Sequence, residues 1–226
     1  MENALLLGLG CFVAALFFMF IGVPIGIGLG IGAVIFFYIY QRSPSVVPQA
    51  AFTIVNNFVL TAVPMYIFMG ELLVHTGLSE RLYQGATKWL AWAPGGLLHA
   101  NIAACALFAA ISGSSPATAA TIGTVAIPAL EKRGYDTKLT LGSLAAGGTL
   151  GILIPPSINL IVYGALTGAS VARLFAGGIL PGILLSGTFM LYILIRVTME
   201  PTLAPKEEFS IRALPTSFFD LWHIVL

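Results

Sequence analysis

The chain has 226 residues, of which 58% are hydrophobic and 8% charged, with 10 Lys or Arg against 9 Asp or Glu. Soluble domains carry about 25% charged residues, so these few cannot cover a water-facing surface, and lipid is the solvent this composition suits. The near-neutral balance excludes nucleic-acid binding, and the apolar content excludes a disordered chain.

In chain order, the gaps between charges locate the spans. Residues 3–41 contain no Asp, Glu, Lys or Arg, which is too long for one crossing of about 20 residues. Gly22-Val-Pro24 supplies the break, predicting one helix over 4–21 and another over 24–40, with Tyr38 and Tyr40 at an interface. Met1-Glu-Asn3 lacks the basic start of a cleaved signal peptide, so it is expected to stay on. Gly22, Gly26 and Gly30 recur at spacing four, which suits close helix packing better than a phosphate loop. Arg42 to Pro48 reads as a loop, and a third helix is expected over 51–74 with Pro64 inside it. Thr53, Asn56, Asn57 and Thr61 lie in its first half, on a face that should avoid lipid. Glu71 and His75, four apart, read as an interfacial pair at its end. Residues 79–92 alternate charge with Leu, Tyr and Trp, as an amphipathic helix lying along the membrane surface would. Cys11 and Cys105 sit in separate apolar runs and read as small buried hydrophobes, not as a disulfide or a metal site.

Two later apolar stretches are interrupted. Residues 89–130 carry no charge, yet Ser112-Gly-Ser-Ser-Pro-Ala-Thr118 breaks them with small polar residues. Unpaired backbone at membrane depth must be buried in protein or line a watery cavity. A re-entrant hairpin meets that condition, with limbs over 100–111 and 116–130 and a tip at Ser112, Gly113, Ser114 and Ser115. Glu131-Lys-Arg-Gly-Tyr-Asp136 closes it with a polar turn at a membrane face; that position argues against an anion role for Arg133. The run 139–166 is broken by Gly151-Ile-Leu-Ile-Pro155-Pro156-Ser157, because two prolines cannot continue a helix smoothly. A full span follows over 174–195, then a polar linker and the start of another apolar segment over 197–226. Half-helix carbonyl ends suit a cation, and neutral hydroxyls are hard oxygen ligands suited to Na⁺. The interrupted stretches hold no carboxylate for a proton relay, which favours Na⁺ over H⁺ as a coupling ion.

These motifs, with Ala62-Val-Pro-Met65, Gly70 and Ala176-Gly-Gly-Ile-Leu-Pro-Gly182, resemble the large membrane subunit of tripartite ATP-independent periplasmic (TRAP) transporters. The match in order and spacing covers nearly the whole chain and corresponds to the N-terminal half of that subunit. The resemblance implies an all-α integral membrane protein, one half of an inverted-repeat, elevator-type transporter, in a bacterial or archaeal inner membrane. Hairpin and broken helix would belong to the moving domain. It implies sodium-driven uptake of an organic acid, such as a C4-dicarboxylate, a 2-oxo acid, a sugar acid or a sialic acid. Na⁺ would be the coupling ion, with no other cofactor. Its partners would be a small membrane subunit, a periplasmic solute-binding protein and the lipid bilayer. Because the family's large subunit has two such halves, this half is not expected to transport by itself.

Carried over by position, the resemblance places a sodium site at Ser112, Gly113, Ser114 and Ser115. Opposite them would lie Gly151, Pro155 and Ser157, with Thr118 and Asn159 toward the substrate. Two other classes stay open on the residues alone. A channel also uses half-helices meeting at mid-membrane, and is separated from a carrier by saturable, Na⁺-dependent flux. An intramembrane enzyme with Ser114 or Ser115 as nucleophile needs a base within reach, and His99 lies about a hairpin limb away.

Overall fold

A computed structural model describes residues 2–39 and 46–205, and among them every regular element is helical. The chain divides into two units, Met1–Asn57 and Phe58–Leu226.

In the first unit, α1 (Glu2–Phe20) and α2 (Ile25–Ile39) pack together, followed by α3 (Val46–Val55). The break between α1 and α2 has a local cause. Gly22 adopts φ +88°, and its N–H and that of Val23 donate to the carbonyls of Met19 and Phe18, closing α1 in a left-handed cap. Pro24 then opens α2, where a missing N–H leaves nothing unpaired. The close packing expected at Gly22, Gly26 and Gly30 falls instead at Gly28, between them, where a Cβ would lie 3.5 Å from Phe18 and 3.6 Å from the Ala15 carbonyl. At Gly26 and Gly30 a Cβ would meet nothing within 4 Å. Tyr38 is exposed, whereas Tyr40, the Cys11 side chain and most of the expected loop after Gln41 lie outside the described residues.

The continuous helix expected over 51–74 is not formed. α3 ends at Val55, Phe58–Thr61 makes a 3-10 turn, and α4 begins at Ala62 and runs to His75. Two consecutive asparagines, whose side chains compete with the helical backbone for hydrogen bonds, mark the interruption. Pro64 therefore falls in the first turn of α4, where it removes no helical bond. The polar face expected across Thr53, Asn57 and Thr61 is divided by the same interruption. His75 and Glu71 do pair, at 3.3 Å and largely exposed.

The second unit centres on α6 (Gly96–Ser112), which meets α5 (Leu78–Leu90), α7 (Ser115–Lys132) and α8 (Thr137–Thr149). The apolar face of α5 rests on protein: Leu82, Tyr83 and Ala86 are buried against the core, while Trp89 and Trp92 stay exposed. Phe108, Ile102, Ile122 and Leu130 are fully buried between the limbs, and Cys105 is a free buried thiol. After α8 come a 3-10 turn at Leu150–Ile152, an irregular stretch to Ser157, and α9 (Ile158–Thr167). α10 (Val171–Met199) is a single helix through Pro181.

α10 runs antiparallel to α8 and α9 and holds their interruption in register. A Cβ at Gly178 would stand 2.7 Å from the Leu153 carbonyl, and one at Gly182 would stand 2.8 Å from Ile154. Beyond α10, the Leu203 carbonyl accepts the Asp136 N–H at 3.0 Å, so the end of α10 and the α7–α8 turn share one face of the unit. At roughly 1.5 Å per residue, α8 and α9 rise about 20 and 15 Å, and α10 about 44 Å. Two helical stretches among the described residues, Phe58–His75 and Val171–Met199, are long and apolar enough to cross a membrane. The apolar segment expected beyond Phe218 lies outside the described residues.

Asp136 caps α8, its Oδ1 accepting the Leu139 N–H at 2.8 Å. Asp136→Ala is expected to lower stability by about 1 kcal/mol, the usual worth of such a cap, read as a lower apparent melting temperature in detergent. An unchanged transition would show that the cap contributes nothing.

Candidate functional site

The tip of the α6–α7 pair and the interruption between α8 and α9 meet. α6 ends at Gly113, whose φ of +62° closes the helix through a 2.9 Å bond from its N–H to the Ala109 carbonyl. Gly113 also touches the other chain segment. Its carbonyl accepts the Ile158 N–H at 3.3 Å, and a Cβ on it would lie 2.7 Å from the Pro156 carbonyl oxygen. From the opposite side, a Cβ on Gly151 would lie 2.7 Å from the Ser114 carbonyl carbon and the Ser115 nitrogen. Bare glycine backbone is thus what lets the two irregular segments approach.

Hydroxyls at the tip form a closed circuit. Thr118 Oγ1 donates to the Ser114 carbonyl at 2.7 Å, so the hydrogen between Ser112 and Thr118, whose oxygens are 3.0 Å apart, comes from Ser112. Ser112 Oγ accepts a long 3.5 Å contact from the Ser114 N–H. Ser112 and Thr118 are both buried. Across the junction, buried Ser157 donates to the Ile152 carbonyl at 2.7 Å. One hydroxyl stands apart: Ser115 Oγ is buried and has no hydrogen-bond partner. A buried hydroxyl without a partner is costly, and elsewhere in the unit Asn101 Oδ1 and Thr140 Oγ1 share that condition.

Each residue singled out in the sequence therefore has a place. Ser112, Gly113, Ser114 and Ser115 form the tip, and Gly151 and Ser157 face it across the junction. Pro155 lies within the irregular stretch, near Gly178 of α10. Thr118 is inside the tip's hydrogen-bond circuit, and Asn159 is exposed on the first turn of α9. Two helix N-termini, those of α7 and α9, meet here at Ser114 and Ser157, and neither serine side chain caps its own helix. Carbonyl ends of α6 and of the 3-10 turn after α8 meet at the same place. Helix ends of both signs at one uncharged point offer oxygen ligands to a cation and N–H groups to an anion. His99, by contrast, stands at the far end of α6 with Nε2 3.1 Å from the Pro94 carbonyl, out of reach of these serines.

Sequence reasoning missed how α8 seats against both limbs. A Cβ on Gly147 would lie 2.9 Å from Cys105 of α6, and one on Gly148 would lie 2.7 Å from Ala119 Cβ of α7. The spacing of four between Gly147 and Gly151 was the available signal. Also missed is a buried bond from Asn101 Nδ2 to Ser143 Oγ at 2.8 Å, which ties α6 to α8. A lone asparagine in an apolar limb pointed to it.

A helical bundle with apolar spans and two interrupted segments meeting through glycine fits an all-α membrane protein. The sequence profile of the DctM component of the tripartite ATP-independent periplasmic transporters matches residues 12–226. The chain belongs to this family of large permease components. It is 39% identical over 202 residues to the C4-dicarboxylate TRAP transporter large permease protein DctM of Vibrio cholerae, covering 88% of this chain and 44% of that one. The isethionate TRAP transporter permease protein DctMQ of Oleidesulfovibrio alaskensis is 44% identical over 146 residues, 65% of this chain and 23% of that one. The sialic acid TRAP transporter permease protein SiaT of Haemophilus influenzae is 39% identical over 178 residues, 77% and 29%. The chain spans less than half the length of each of these relatives. They are transporter permeases, and the chain is a permease component, not an enzyme.

Proposed function

We propose that this chain forms the sodium-coupled half-site of a TRAP permease in a bacterial or archaeal inner membrane. In this reading α6 and α7 are a re-entrant hairpin. Their limbs of 17 and 18 residues rise about 26 Å from the face where α10 ends, against about 44 Å for α10 itself. The tip then stops within the membrane, at the level where the α8–α9 helix is interrupted. Na⁺ sits between tip and interruption, held by oxygens of Ser112, Gly113, Ser114 and Ser115 on one side and of Gly151, Pro155 and Ser157 on the other. The observation that carries this reading is the buried, unpartnered Ser115 hydroxyl at a junction of helix carbonyl ends. These neutral oxygens suit a hard monovalent cation.

The substrate is an organic acid. The relatives are named for C4-dicarboxylates, isethionate and sialic acid, all of which are anions, and in this reading Asn159 in the first turn of α9 meets the anion. Thr118 contributes through the shape of the tip. Delivery is by a periplasmic solute-binding protein, and a small membrane subunit completes the assembly. Movement is of the elevator type, with hairpin, broken helix and ion carried together.

The test is Na⁺-dependent uptake in the complete transporter. Ser114→Ala and Ser157→Ala are each expected to raise the half-saturating Na⁺ concentration about ten-fold, as loss of one ligand oxygen worth ~1.4 kcal/mol would. Unchanged Na⁺ dependence in both variants would sink the ion-site assignment.

A further inference from the structure

On the face where α10 ends, a cavity of about 380 Å³ opens between α8 and α10. Its volume lies within the usual range for a small-ligand site. Its lining is graded. At the mouth stand Lys138 and Asp136 at the start of α8 and Arg196 and Glu200 at the end of α10. Deeper, Ile102, Phe189 and Ile193 make an apolar floor, and Tyr192 stands exposed at one edge.

Level and charge together identify the ligand. α10 rises about 44 Å, against about 30 Å for the hydrocarbon core, so Arg196 near its end lies at headgroup depth. A tyrosine and two long cationic side chains are what a membrane protein presents there. The mouth carries both signs in equal number. A bare anion would face two carboxylates, and a bare cation two basic groups. A ligand with a phosphate and an ammonium in one headgroup satisfies both, and the apolar floor takes the start of an acyl chain. We propose that this crevice binds a zwitterionic phospholipid of the phosphatidylethanolamine type. Lys138 and Arg196 hold the phosphate, and Glu200 and Asp136 face the ammonium. Arg196 is already oriented by Glu200, at 3.3 Å.

Gly142 provides the test. It lines the crevice, and a Cβ on it would meet nothing within 4 Å, so Gly142→Leu places bulk in the crevice from an unobstructed Cβ. The native protein is purified in mild detergent and its retained lipids are counted by native mass spectrometry. After delipidation, the apparent melting temperature is followed on adding phosphatidylethanolamine, phosphatidylglycerol or inorganic phosphate. Wild type is expected to retain phosphatidylethanolamine and to be stabilised by it, but not by phosphate. Gly142→Leu should keep its fold and lose both properties, and Arg196→Gln should need about five-fold more lipid for the same shift. Equal phosphatidylethanolamine retention in wild type and Gly142→Leu would overturn the proposal. Stabilisation by phosphate alone, or equally by phosphatidylglycerol, would also overturn it. So would a native protein that retains no phosphatidylethanolamine and fails to fold as Gly142→Leu, since its own chain would then fill the crevice.

Discussion

Gly113→Ala is expected to weaken Na⁺ coupling about five- to thirty-fold while the protein still reaches the membrane. Two effects act at this one position. An alanine at φ +62° carries the left-handed strain of about 1–2 kcal/mol, which corresponds to that range. Its Cβ would also lie 2.7 Å from the Pro156 carbonyl oxygen, a backbone atom that cannot rotate away. Relief comes from moving the tip off the interruption, which lengthens the 3.3 Å bond from the Ile158 N–H to the Gly113 carbonyl. In the proposed sodium site the oxygens of the two sides then no longer converge. Gly70→Ala is the matched control: its Cβ would sit 3.6 Å from the Ser112 Cα and carbonyl oxygen, an ordinary contact, and its backbone is helical. Half-saturating Na⁺ should rise in Gly113→Ala and stay at the wild-type value in Gly70→Ala. A wild-type Na⁺ dependence in Gly113→Ala would show that the tip and the interruption do not need to touch.

The features legible in the sequence were those set by local chemistry. A glycine able to take positive φ with a proline two residues on closes one helix and opens the next by local geometry, so the α1–α2 break could be read directly. The same holds for the two prolines after Ile154 and for the small polar run at Ser112. Composition located them in apolar surroundings, and the physics of unpaired backbone then required each to be buried in protein or to line a watery cavity, while their facing one another was implied only by the family resemblance. The interruption at Asn56 was not legible in the same way. Asparagines are tolerated inside helices, and Pro64 drew attention as the breaker although it sits harmlessly in a first turn. The burial of α5 against α6 was equally hidden, since an amphipathic pattern says which face is apolar but not whether lipid or protein covers it. At the site, residue types were legible but bonding was not. Nothing in the sequence says that Thr118 turns back onto Ser114 while Ser115 is left without a partner. That distinction depends on how two segments some forty residues apart are pressed together.

What presses them together is the glycine seam of α8, and it can be tested independently of any ion. Gly148→Ala is expected to destabilise the protein by about 1–3 kcal/mol, because overpacking a close helix contact forces backbone to shift. Its Cβ would stand 2.7 Å from Ala119 Cβ, and the next nearest atom, Ala119 Cα, is at 3.4 Å. Removing the Ala119 methyl therefore leaves only ordinary contact. Ala119→Gly alone should cost about 1 kcal/mol, as a glycine within a helix does. The double variant Ala119→Gly/Gly148→Ala should be more stable than the sum of the two single changes by about 0.5–3 kcal/mol, the coupling expected of residues in direct contact. Melting temperatures of the four proteins in one detergent close the cycle. Additive effects would mean that α8 does not lie on α7 at this register. Gly151, three residues further on in the 3-10 turn that follows α8, would then lose its reason to be a glycine, since this seating is what brings its backbone beside Ser114 and Ser115.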